Sequence, residues 1–261
     1  MQKTFRFAFA ATLTSFLPSL AACAVEHTSA GEARVDFNSE IVTPATFSVA
    51  EAAIASIDYL PFSYKLDGCY ARALYMSMEL AEKRIESNAI FAFAKGRNWL
   101  TVGAVTWTYH VAPMLLVQEP GGATSLMVID PSISSTPFTQ ENWLGAMGFP
   151  ATTPAASGPD TLMVPGSDYT PDGARADWTN HNRDVTDFAH MPAFNVWNIQ
   201  DACNVMHRYV WKEPGVSDEE RARKQNRLVL RTSELVYKLN AMGKLAGSAV
   251  NFSPDVCAAA R

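Results

Sequence analysis

Charge is scarce in this 261-residue sequence, at 18% of residues, and none of it is in basic excess: 21 Lys and Arg stand against 26 Asp and Glu, a formal net charge of −5. A phosphate-binding groove needs a basic surface to release counterions, so DNA and RNA are excluded as partners. Cysteine is also sparse, with four, too few in a chain of this length for a disulfide scaffold; each must be judged by its neighbours. There is no glycine-rich phosphate loop, no internal repeat and no second ligand pair with metal spacing. What the sequence does have is 48% hydrophobic residues, enough to bury one substantial core.

Residues 1–22 have the layout of an export signal, with Lys3 and Arg6 ahead of an apolar stretch from Phe7 to Leu17 that is too short to span a bilayer. The stretch closes in Leu20-Ala21-Ala22-Cys23, which resembles a bacterial lipobox, and in that reading cleavage precedes Cys23 and the cysteine carries lipid. Ala22-Cys23-Ala24 also fits ordinary signal-peptidase cleavage after Ala24. Either way an exported chain is expected, as an outer-membrane or periplasmic lipoprotein or as a secreted soluble form. Its membrane attachment would be the N-terminal lipid alone. Loss of Lys3 and Arg6 carries the charge to about −7, further from any anionic partner. Residues 23–43 read as a polar tether, 44–150 as the core, 151–195 as a loop-rich segment and 196–261 as a C-terminal helical part of the same domain.

Ser48-Val49-Ala50-Glu51 has the pattern of a capping box opening a helix to about Tyr59, after which Pro61 forces extended chain. From Tyr70 to about Ile85 small and long-chain residues predict a helix with Tyr70, Ala73, Leu74, Met78 and Ala81 on one stripe, so that Cys69 stands at its N-terminus. Between Trp99 and Asp130 β-branched and aromatic residues predict three strands, near 100–106, 109–117 and 124–130. The Pro-, Gly- and Thr-rich stretch 148–182 reads as a long loop, a cleft wall or a lid. Helices are expected near 196–212, ended by Glu213-Pro214-Gly215, and from Ser217 onward, with Leu228, Leu235, Leu239 and Met242 packing the core.

A thiol becomes nucleophilic near neutral pH when a helix N-terminus and an imidazolium stabilise its thiolate. Cys69 has the first of these from sequence alone. Gly68 leaves room for a substrate near the backbone, and the free amides of the first turn could hold an oxyanion. The turn signal Glu119-Pro120-Gly121-Gly122 makes residues 109–130 a hairpin; centred on Pro120, it sets His110 directly opposite Asp130 on one face. Singly, each residue has an ordinary explanation as core thiol, packed histidine or turn aspartate. Together, in the order cysteine, histidine, aspartate, they fit nucleophile, base and orienter of an acyl-transfer site.

Three segments then resemble the bacterial protein-glutaminase family of papain-like and transglutaminase-like cysteine enzymes. They are Pro61-Phe62-Ser63-Tyr64 with Asp67-Gly68-Cys69-Tyr70-Ala71-Arg72-Ala73, then Trp107-Thr108-Tyr109-His110-Val111-Ala112, then Ile129-Asp130-Pro131-Ser132, with a weaker echo in Pro137, Thr139 and Trp143. The resemblance covers about residues 61–145. It implies an α+β fold with a papain-like/transglutaminase-like core: a nucleophile-bearing helix packed on an antiparallel sheet, followed by C-terminal helices. It also implies a monomeric enzyme without metal or organic cofactor that hydrolyses the side-chain amide of glutamine in a protein or peptide, with Cys69 as nucleophile, His110 as acid and base, and Asp130 as its partner. Leu74 stands where members often have histidine, which bears on specificity, and the region beyond about 150 departs from the family pattern. The same triad would serve a transglutaminase or a cysteine peptidase, and a degenerate cleft would leave a non-catalytic anchored binding module.

Outside these segments, Cys203 and Cys257 remain without a role; in an oxidising compartment they could bridge, and the sequence equally allows two free thiols. Cys203 and His207, four apart on a helix, could share a metal, but packing on the core explains them more simply. Asp184, Asp187 and His190 read as a solvated loop rather than a metal cluster. Trp178 and Trp197 read as core or interface residues.

Overall fold

A computed structural model describes residues 45–118, 121–169 and 192–259. The export signal, Cys23 and the whole tether, Glu119 and Pro120, Trp178, and the Asp184, Asp187 and His190 group lie outside the described residues. The architecture is α+β. A sheet in the order β7 (Phe138–Thr139), β6 (Thr124–Val128), β5 (Tyr109–Gln118), β2 (Asn88–Phe93), β8 (Asp160–Pro165) pairs antiparallel throughout, and β1 (Ala45–Thr46) adds in parallel to the end of β5.

Helix α2 (Cys69–Glu82) runs through the middle of the molecule and is buried at nearly every position. One end of its apolar surface, Cys69 and Ala73, joins Ala89, Phe91, Phe93 and Val111 of the sheet. The rest, including Leu74 and Met78, packs on Ile199, Val205 and Met206 of α4 (Val196–Trp211) and on Leu228, Leu235 and Leu239 of α5 (Asp218–Ala241). Met242 is half-buried at the end of the expected core stripe. The other sheet face, through Ile90, Ala92, Ala112 and Met114, meets Trp107, Trp143 and Phe149 under α3 (Gln140–Ala146). Thus the helix that begins at Cys69 packs on an antiparallel sheet, with the C-terminal helices behind it, as expected.

Local signals set most ends. Ser217 accepts the Glu220 amide and opens α5, whose first turn carries Asp218, Glu219 and Glu220 against the positive end of the helix dipole. Asn195 accepts the Trp197 amide and opens α4. Glu213, buried after α4, pairs with Lys224 at 2.7 Å and accepts the Ser63 amide at 3.2 Å, which ties the C-terminal helices to the segment leading to Cys69.

Several expected boundaries are corrected. Helix α1 spans Phe47–Ala55, so Ser48 lies inside it and it stops short of Tyr59. The strand expected over 100–106 is a hairpin of β3 (Leu100–Val102) and β4 (Val105–Trp107), turned at Gly103, whose φ is 60°. β6 ends at Val128, before Asp130. Strand β2, Asn88-Ala89-Ile90-Phe91-Ala92-Phe93, is unexpected: it is buried on both faces, so no alternation marks it. Within the stretch 148–182, residues 160–165 form an edge strand rather than loop. Trp197 is exposed, not core. No helix among the described residues is long and apolar enough to cross a membrane.

Candidate active site

Cys69 is the first residue of α2, with its side chain buried at 6% exposure. The residue before it, Gly68, is the N-cap at φ 83°, a left-handed conformation that favours glycine. Having no side chain, this cap leaves the first-turn amides of α2 without an intrahelical or capping acceptor. The clearance expected at Gly68 for a substrate is corrected: a Cβ there would lie 2.7 Å from the Tyr209 ring and 2.9 Å from the Met206 methyl. The glycine is needed because α4 packs against it. Asp67 accepts the Gly68 amide through Oδ1 at 2.6 Å and the Tyr209 hydroxyl through Oδ2 at 2.5 Å, and Tyr209 also stacks on Tyr64 at 4.6 Å.

His110 comes from the second residue of β5, and Asp130 from the chain just after β6. His110 Nε2–H donates to Asp130 Oδ2 at 2.7 Å, with both side chains at most 2% exposed. The two are not directly opposite. β5 and β6 pair Met114 with Val128 and Leu115 with Met127, a register displaced by two residues from the expected one, and His110 itself faces Ala92 of β2. A displacement of two keeps the same face of the sheet, so the side chains meet diagonally where a displacement of one would have separated them.

The pair is enclosed by indoles. Trp107 stacks on the His110 ring at 4.5 Å and 12°, and its Nε1–H donates to the Lys65 carbonyl at 2.7 Å, tying β4 to the loop before Cys69. Trp143 of α3 donates its Nε1–H to the same Asp130 Oδ2 at 2.9 Å, and the Ser132 amide donates to Oδ1 at 3.1 Å. Asp130 therefore accepts three donors. Burial alone would raise its pKa, but His110, Trp143 and the positive charge of Arg72 hold it below the usual carboxylate range. Burial pulls His110 downward, while the Asp130 charge and hydrogen bond, and Cys69 after them, outweigh it and lift its pKa to about 9. Nδ1 of His110 makes no hydrogen bond of regular geometry; Cys69 still acts on the ring, and Nδ1 is the nitrogen left to face it.

The structure thus brings Cys69, His110 and Asp130 into one buried assembly. Leu74 is buried a turn further along α2, in the helix core. Cys203 and Cys257 are joined in a disulfide that links α4 to α6 (Pro254–Ala259), with Cα atoms 5.3 Å apart. Cys203 is therefore no partner for His207 on a metal, and no metal-binding group occurs among the described residues. A groove of about 740 Å³ between α3 and residues 149–161, lined by Gln140, Leu144, Phe149 and Thr161, does not include Cys69, His110 or Asp130. Sequence reasoning gave no role to Tyr209, which is 140 residues from Cys69 along the chain and carries no local signal. Trp107, Trp143 and Arg72 stand in the quoted segments, but their contacts could not be read there.

Comparison with known proteins gives three findings. A family model described as glutaminase matches residues 45–147. No curated protein matches the sequence. Solved structures similar to it include the NMR structure of protein-glutaminase from Chryseobacterium proteolyticum, at 22% identity and TM-score 0.40, covering 49% of this chain and 75% of that one. A crystal structure of protein-glutaminase is similar at 22% identity and TM-score 0.42, over 51% of this chain and 78% of that one. A crystal structure of pro-protein-glutaminase is similar at 20% identity and TM-score 0.42, over 62% and 59%.

Proposed function

We propose that this chain, whose residues 45–147 match the glutaminase family model, is an amidohydrolase of that family and hydrolyses the side-chain amide of protein-bound glutamine to glutamate and ammonia. The observation that carries the reading is the buried Asp130–His110 pair beside a cysteine at an uncapped helix N-terminus. Its parts match the demands of acyl transfer from an unactivated amide.

The Cys69 thiolate attacks the amide carbon, and the oxyanion that forms is received by the free amides of the first turn of α2. His110, held protonated by Asp130, gives its proton to the nitrogen as the carbon–nitrogen bond breaks and ammonia leaves. The neutral imidazole then removes a proton from water attacking the thioester. The carbon–sulfur bond breaks to leave thiolate, imidazolium and the side-chain carboxylic acid, whose proton passes to solvent to give glutamate. Asp130 keeps its charge throughout, because its three donors satisfy the anion. A cysteine buried to 6% residue exposure suits a slender carboxamide side chain better than a backbone peptide bond, which favours deamidation over peptidase action.

The enzyme works outside the cytoplasm on exposed glutamine residues of proteins or peptides, as a monomer exported by its N-terminal signal and anchored by lipid at Cys23. The Cys203–Cys257 disulfide suits an oxidising compartment. The test is ammonia release from casein by the purified mature protein, with Cys69→Ala as control. Release that depends on Cys69 is expected; equal release from both proteins, or none from either, overturns the proposal. Incorporation of a labelled amine would instead identify a transglutaminase.

A further inference from the structure

Arg72 lies in the interior of α2 at 2% exposure, one of the largest fully covered side chains of the protein. Its Nη1 donates to the carbonyls of Tyr64 at 2.9 Å and Pro61 at 3.4 Å. No carboxylate among the described residues lies within ion-pair distance of it. A buried guanidinium without a counter-ion loses its hydration and gains little in return, so it survives in a core only where something offsets that loss. The groups whose negative charge acts on it are Cys69 on its own helix, Asp130 from the end of β6 and Asp67 from the preceding loop, and Asp67 is itself bound by the neutral Tyr209 hydroxyl. Arg72 follows Cys69 by three residues on α2, which puts the two on adjacent positions of one helix face.

Resting on the reading of Cys69 as nucleophile, we propose that Arg72 is a positioning residue with two tasks: its charge is the buried counter-ion of the Cys69 thiolate and the Asp130 carboxylate, and its hydrogen bonds fix the 61–64 segment that leads to the nucleophile. Among the reacting groups, two cations, His110 and Arg72, then stand against two anions, Cys69 and Asp130. Only one of the cations can lose its proton during the reaction. When His110 gives its proton to the departing ammonia, Arg72 remains charged beside Asp130. This keeps the carboxylate ionised in the step where the imidazole is neutral.

The test reads the thiolate directly, by the pH dependence of Cys69 alkylation with iodoacetamide in the full mature protein. In Arg72→Met the midpoint is expected to rise by about one pH unit or more, so that alkylation at pH 6 slows about tenfold. Arg72→Lys keeps the charge but not the reach to both carbonyls; it should restore the alkylation midpoint while kcat stays depressed and KM is little changed. A folded Arg72→Met protein whose alkylation profile superimposes on the parent overturns the proposal. Where circular dichroism shows that Arg72→Met does not fold, His110→Ala decides. With Arg72 in place its Cys69 should still alkylate at pH 6 faster than the same cysteine in the urea-unfolded protein, and a rate no faster than that overturns the proposal. Alkylation needs no substrate. A parent protein that releases no ammonia but shows these shifts would refute the proposed function and leave the role of Arg72 standing.

Discussion

Asp130→Asn is the substitution that separates charge from shape at this site. The carboxylate accepts His110 and Trp143 through Oδ2 and the Ser132 amide through Oδ1, so all three contacts are donors. Asparagine has one acceptor oxygen. Turned toward His110 and Trp143, it sets its amide nitrogen against the Ser132 N–H; turned the other way, it faces two donors with a third. The better orientation leaves one buried amide unpaired and costs about 1–3 kcal/mol of stability. The larger effect falls on His110. Its pKa of about 9 rests first on Asp130, against a burial that opposes it; without the charge it drops to or below about 6.5. At pH 7 the imidazolium fraction then falls from about 99% to under about 25%, and the ring loses its orienting acceptor. The kcat for ammonia release should fall about ten-thousandfold, the range found when the orienting carboxylate of such a site is neutralised.

The same substitution changes how stability depends on pH. A histidine whose folded pKa is raised contributes stability that is complete below its unfolded value and is lost as pH rises through its folded value. In the parent protein a contribution on the order of 3 kcal/mol, counted once for the coupled pair, should therefore fade between about pH 6.5 and 9. Urea unfolding at pH 6 and pH 9.5 measures it, and Asp130→Asn should lack this slope. An Asp130→Asn protein with parental kcat, or with the parental loss of stability toward pH 9.5, would refute the reasoning.

Three further outcomes are expected. Cys203→Ser with Cys257→Ser opens a link across 54 residues and should lower unfolding free energy by up to about 4 kcal/mol, seen in urea melts, while ammonia release at 25 °C is retained. Glu79 is a buried carboxylate bound by Arg231 Nε and Nη2 and by the Tyr59 hydroxyl; Glu79→Ala leaves Arg231 its pairs with Glu82 and Glu234 but leaves the buried Tyr59 hydroxyl without its acceptor, and should cost about 1–3 kcal/mol. Burial raises the Glu79 pKa, but Arg231 and Tyr59 more than reverse this. Its contribution is therefore present above the ordinary carboxylate range and lost as pH falls through the lowered value, so acid melts of the parent should fall more steeply than those of Glu79→Ala. Trp107→Ala removes both the ring stacked on His110 and the tie to Lys65, and should lower stability by about 3–5 kcal/mol; parental melting and kcat together would count against that role.

Much of this protein is written locally. The helix that begins at Cys69, the caps at Asn195 and Ser217, and the apolar spacing of Leu228, Leu235 and Leu239 are decided by neighbours within a few residues, and such signals survive in a linear reading. β2 was invisible because a strand covered on both faces has no alternation to betray it, and β3 with β4 merged because a single glycine turned them. The face shared by His110 and Asp130 was legible because strand side chains repeat with a period of two. Their register was not, since a turn sequence leaves a shift of two residues open and only the packing of the whole sheet decides it. Chain order alone placed a cysteine, a histidine and an aspartate in a pattern that carries chemistry. It took the tertiary structure to bring Trp143, Tyr209 and Arg72 around them, because burial, hydrogen bonding and charge compensation depend on elements separated by tens of residues that meet only after folding.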